Sequence, residues 1–133
     1  MLIAYVAGKY TAKTKEEKIE NVNQAEEIGK KLLKIGVSPI IPHKISMLWD
    51  YDEQFKNWDS DMWLERFCFP LLSASQMLVV CPNYHGSYGV KREIEYAQSI
   101  GMPVVYYKND DQLYEEVGKI IEDFFEGNFF NLQ

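Results

Sequence analysis

One carboxylate, Glu93, stands inside the apolar stripe of an otherwise ordinary amphipathic helix pattern. Counting 3.6 residues per turn from Ser87, the core-facing positions are Val90, Ile94, Ala97 and Gly101, with Ile100 beside them, and Glu93 falls within that arc. The residues three and four places away are Gly89, Val90, Tyr96 and Ala97, so no cation pairs with it, whereas Glu95 has Lys91 one turn back and reads as a surface charge. An unpaired buried carboxylate is costly, so Glu93 must face water or a polar cleft. A carboxylate in a cleft is suited to acid–base or covalent chemistry. Gly89 lies one turn earlier on the same face, and its missing side chain leaves an open floor on which a sugar can lie. The bland alternative is that Gly89 only permits a turn and Glu93 fringes the core.

Other residues gather around this pair if their strands are neighbours. The loop "PNYHGSYG", residues 82–89, presents backbone N–H groups and Ser87 at a helix N-terminus, which favours an anion or a hydroxyl-rich ligand; it is not a G-x-x-x-x-G-K-[ST] phosphate loop. Tyr5 is in the first strand and Gly8 just past its end, and a tyrosine hydroxyl there can hold a carboxylate in one rotamer and tune its proton affinity. Tyr5 is equally a plain strand aromatic. Lys9 and Lys13 can attract a phosphate or simply be solvated, and His43 can contact a base or cap the segment that follows it. The stretch "MLWDYDEQFKNWDSDMW", residues 47–63, mixes aromatics with aspartates, a composition that suits stacking on a flat base or a dimer surface.

The elements that must position these residues read clearly. Leu2–Ala7, Ser38–Ile41, Met77–Cys81 and Pro103–Tyr107 are short continuous apolar runs, as in a sheet buried on both faces. Helical patterns alternate with them: Thr14–Ile35, with Ile19, Val22, Ile28, Leu32 and Leu33 on one face and a Gly36 stop; Phe55–Ser73; Ser87–Ile100, capped by Gly101; and Asp110–Phe125. This predicts a single-domain α/β protein spanning 1–133, a doubly wound parallel sheet of the flavodoxin/Rossmann-like kind with four or five strands in the order 2-1-3-4. Ligands of such sheets bind outside the carboxyl ends of the strands, at the switch point between the first and third.

The bulk properties narrow the partners. A chain of 133 residues fits one domain, and its net charge of −6 argues against a nucleic-acid polymer or an anionic membrane. With no basic n-region and no long apolar run, neither a signal peptide nor a membrane span is expected, and the cytoplasm is the expected location. Cys68 and Cys81 are expected as two reduced core thiols, and with only His43 and His85 besides, metal-ligand spacing is absent, so no metal or other cofactor is expected.

"YVAGKY" at 5–10, "ENVNQAEEIGKKLLKIG" at 20–36, "IPHK" at 41–44, "WLER" at 63–66 and "GSYGVKREIEYAQSIGMPVVYY" at 86–107 together resemble the nucleoside 2-deoxyribosyltransferase superfamily, in particular a compact bacterial and phage branch that carries a domain-of-unknown-function label. The most specific piece is the S-x-G-x-x-x-E spacing of Ser87, Gly89 and Glu93, followed by A-x-x-x-G-x-P-V. The resemblance implies cleavage or transfer at the N-glycosidic bond of a nucleoside or nucleotide. Glu93 would be the nucleophile, oriented by Tyr5, with Gly8, Lys9, His43, Asp61, Ser87 and Gly89 at the substrate. The tail "IIEDFFEGNFFNLQ" holds Phe124, Phe125, Phe129 and Phe130, too many aromatics for one small domain to leave in water, so a homodimer or larger is expected, and the resemblance implies Asn128 or Asn131 near a neighbouring cleft. One departure stands out: the family aspartate just after "WLE-x" is Phe67 here, so either Asp59 or Asp61 substitutes for it, or the site binds without turnover.

Overall fold

The computed structural model describes residues 1–131, with side-chain surroundings through residue 127. Four strands, β1 (Leu2–Ala7), β2 (Val37–Ile40), β3 (Met77–Val80) and β4 (Val104–Tyr106), form one all-parallel sheet in the order β2-β1-β3-β4. That is the expected doubly wound α/β arrangement, with four strands.

Side-chain alternation divides the core in two. Leu2, Ala4 and Val6 of β1 face Ala25, Ile28 and Leu32 of α1 (Lys15–Lys34) and Leu113 and Val117 of α6 (Asp110–Asn131). Tyr5 and Ala7 face the opposite way, towards Val90 and Ala97 of α5 (Tyr88–Ser99) and a helix carrying Leu64, Cys68 and Leu72. Both strands at the switch point are therefore covered on both faces, which is why they read as continuous apolar runs. Thr14 caps α1 by accepting from the Glu17 N–H, Ser87 caps α5 by accepting from the Val90 N–H at 3.3 Å, and Gly36 and Gly101 leave their helices at φ 85 and 71.

The second crossover differs most from expectation. The helix predicted over Phe55–Ser73 begins only at Ser60, where Asp59 accepts from the Met62 N–H and caps it. Before it come α2 (Pro42–Ser46), a run of turns and one 3-10 turn at Glu53–Phe55. The helix is then interrupted: α3 (Ser60–Trp63) passes through a π turn at Leu64–Cys68 into α4 (Phe69–Ser73). Ile19 and Leu33, expected in the core, are exposed, and Ala25 and Gly29 fill the buried face of α1 instead, because small residues let that helix approach the sheet. Ile100 and Gly101 are likewise exposed, since α5 ends at Ser99 and the chain turns away. α6 runs on to Asn131 rather than stopping at Phe125. The expected roles of Asn128, Phe129, Phe130 and Asn131 fall on side chains outside the described residues. Among the described residues no helix is long and apolar enough to cross a membrane.

Candidate active site

β1 pairs with β3 so that Tyr5 stands beside Leu78, and the two chains diverge just beyond, β1 towards α1 and β3 towards α5. A cleft of about 1300 Å³ opens at this divergence, and Glu93, Ser87, Gly89, Lys9 and His43 all line it. A Cβ built on Gly89 would meet nothing within 4 Å, so the space above the Glu93 turn is open.

Glu93 itself is only 1% exposed, and the Tyr5 hydroxyl donates to its Oε2. Burial pushes the Glu93 carboxyl up to about 7, and the Tyr5 hydrogen bond opposes that rise by favouring the anion. Tyr5 is held well above its usual range, first by burial and then by the Glu93 charge, so it remains a donor. Cys68, beside the Tyr5 hydroxyl, and Cys81 are both free, buried and pushed up to about 12, by burial first and the Glu93 charge second. Neither thiol is a nucleophile near neutrality. Among the described residues no cluster of three or more His, Cys, Asp or Glu side chains is arranged to hold a metal ion.

The remaining expected site residues divide. His43 lies flat against Tyr10, with ring centroids 4.4 Å apart and planes inclined by 10°, and its Nδ1 is 3.3 Å from Ser46 Oγ. Burial holds its imidazole down at about 4, so at neutral pH it offers one donor and one acceptor without charge. Gly8 does not line the cleft. A Cβ there would stand 3.1 Å from Cys81 Sγ, so Gly8 serves the close approach of the β1 and β3 ends. Asp61 also stays outside the lining, because it accepts from Arg92 Nη1 at 2.9 Å and from the Tyr88 hydroxyl at 2.7 Å. Asp59 lines the cleft while capping α3, and Phe67 lines it from the π turn.

Sequence reasoning missed four cleft residues. Tyr10 donates to Asp50, whose carboxyl is raised by burial and lies 3.7 Å from Lys18 Nζ. Asn83 Nδ2 donates to Asn21 Oδ1 at 3.0 Å, and the buried Asn83 Oδ1 has no partner among the described residues. Tyr10 and Asn83 each follow a strand that ends at the switch point, a positional signal available in the sequence. Asp50 falls in the aromatic and aspartate-rich 47–63 stretch but nothing there distinguishes it from the other aspartates, and Asn21 carries no signal at all, because their partners come from distant segments. The model of the family described as Domain of unknown function (DUF7768) matches residues 3–107, and the chain belongs to that family. No curated protein matches it.

Proposed function

We propose that this DUF7768 chain acts on the N-glycosidic bond of a nucleoside or nucleotide, with Glu93 as the nucleophile. The observation that carries the reading is a buried carboxylate whose hydrogen-bond partner is Tyr5, under the Gly89 opening of a cleft at the sheet switch point. The resemblance to the nucleoside 2-deoxyribosyltransferase superfamily rests on the same residues, Tyr5, Ser87, Gly89 and Glu93.

In this reading Glu93 attacks the anomeric carbon as the carbon–nitrogen bond breaks, the electron pair of that bond leaving with the base, which takes a proton from water. The sugar is held as an ester on Glu93 until water or a second base attacks the same carbon and releases the carboxylate. Two displacements give net retention, and the carboxylate stabilises the oxocarbenium-like charge in both. Tyr5 contributes by fixing the Glu93 rotamer and favouring its ionised form. The partners are a nucleoside or nucleotide and a second copy of the chain, since Phe124 and Phe125 stay exposed on α6.

A second reading, a nucleotide-binding module without turnover, is favoured by Phe67 in the cleft where the resembling family has an aspartate. The test is incubation with a panel of nucleosides and 5′-nucleotides, read by chromatography for free base and exchanged nucleoside. Turnover that disappears in Glu93→Gln, with ligand binding retained, is the expected result. Unchanged turnover in that variant removes Glu93 from its role, and binding without turnover in either form selects the second reading.

A further inference from the structure

From Met47 to Trp63 no residue is buried, although the stretch contains Trp49, Tyr51, Phe55, Trp58 and Trp63. Its aromatics pack largely on one another: Phe55 is 5.0 Å from Trp58 and 5.5 Å from Trp63, and Trp58 is 5.1 Å from Trp63, between ring centroids. The stretch is thus a strap with a small aromatic core of its own. Its ends are fixed, because Ser46 on one side and Leu64 on the other are buried in the body of the protein. Its middle lies along the cleft, which Asp50, Trp58 and Trp63 line. Segments with few buried apolar contacts are those that open at least cost.

Two aspartates tie this strap to opposite sides of the cleft. Asp50 accepts from the Tyr10 hydroxyl and pairs with Lys18, which belong to the segment after β1 and to α1. Asp61 accepts from Arg92 and Tyr88, both on α5, and Arg92 Nη1 also donates to the Tyr88 hydroxyl at 2.8 Å, closing a three-membered polar network. Arg92 immediately precedes Glu93, and Tyr88 lines the cleft mouth. We propose that Asp61, Arg92 and Tyr88 form a clasp that holds the aromatic strap closed against the nucleophile helix, with the Asp50–Tyr10–Lys18 group as its counterpart on the far side. Asp61 is then a positioning residue that acts on the ligand through the strap. The clasp stands on contacts that do not depend on the glycosidase reading, although its use in catalysis rests on that reading.

The chain carries its own reporter, because its three tryptophans, Trp49, Trp58 and Trp63, all lie on the strap. Acrylamide quenching of tryptophan emission therefore measures strap opening with no substrate present. Asp61→Asn and Arg92→Gln should each raise the opening equilibrium of the strap up to about fivefold, the scale of a partly exposed charged contact, read as a higher quenching constant than the wild type's with unchanged far-UV circular dichroism. Asp61→Glu, and the reversed pair Asp61→Arg with Arg92→Asp, should return it to the wild-type value, and 1 M NaCl should raise it in the wild type. Quenching that is unchanged in both single variants overturns the clasp. So does a rise that the reversed pair fails to reduce, which would mark a merely structural loss. If the nucleoside panel shows no turnover while quenching behaves as expected, the glycosidase reading falls and the clasp stands; turnover with unaltered quenching does the reverse.

Discussion

Glu93 combines burial with, among the described residues, one hydrogen bond, from Tyr5, an arrangement that destabilises the fold in a pH-dependent way. Its carboxyl ionises near the ordinary value of 4.5 in the unfolded chain and at about 7 in the folded one. Below about pH 4.5 both states are protonated and the group costs nothing on this account. As pH rises, the unfolded chain loses its proton first, so stability falls through the window from about 4.5 to 7 and levels off above it. At about 1.36 kcal/mol per tenfold, that window corresponds to about 3 kcal/mol. Glu93→Gln removes the titration. The stability of the variant relative to the wild type should therefore increase by about 3 kcal/mol between pH 4 and pH 8, as measured by urea unfolding at each pH. A difference that stays constant with pH would mean that Glu93 is solvated in solution. The same residue implies that any glycosidase activity rises with pH through about 7, as the nucleophilic form accumulates.

At the scale of the element, the π turn at Leu64–Cys68 is the feature that sets the site apart. Its extra residue per turn breaks the regular helical spacing, and such turns recur at functional sites. Leu64 and Cys68 enter the core while Phe67 reaches the cleft, where it meets Trp63 edge-on at 6.0 Å and Trp49 at 5.9 Å. Asp59 and Asp61, the two carboxylates near enough in sequence to stand in for the aspartate of the resembling superfamily, are occupied as a helix cap and with Arg92 and Tyr88. Phe67→Asp therefore tests this segment directly. A restored charge-assisted hydrogen bond to substrate, typically worth about 1.5–3 kcal/mol, would raise the rate by roughly one to two orders of magnitude if expressed in the transition state. Kinetics and calorimetry on the same ligand check this: a gain in turnover marks the wild type as a weakened glycosidase, and a loss of affinity without turnover marks Phe67 as a stacking surface for a binder.

The whole molecule is an acidic domain with apolar side chains left over on its outer layer. Phe124 and Phe125 on α6 are 37% and 53% exposed and pack edge-on against each other, and Leu33 on α1 is 61% exposed in the same helical layer. Scattered apolar side chains are common on monomers, but adjacent phenylalanines on one long helix favour a covered face. Self-association as a dimer or larger is expected, and light scattering at high micromolar concentration measures it. A monomer there would leave the α6 face without a partner from this chain.

The architecture was legible because its signals are local. Continuous apolar runs marked the buried strands, glycines marked the helix ends, and the crossover rule ordered the sheet. The same local spacing exposed Glu93 as a carboxylate on an apolar face, and strand adjacency brought Tyr5 to it. What the sequence could not supply was the partner of each polar side chain in the second crossover. Asp61 looks like a free carboxylate until folding places Arg92 and Tyr88 against it, 31 and 27 residues away. Gly8 looks like a ligand-facing turn until the end of β3 brings Cys81 against it. The π turn, too, depends on which of Leu64, Phe67 and Cys68 the core accepts. These outcomes are settled by long-range packing and by competition among donors for one acceptor, quantities that exist only once distant segments meet.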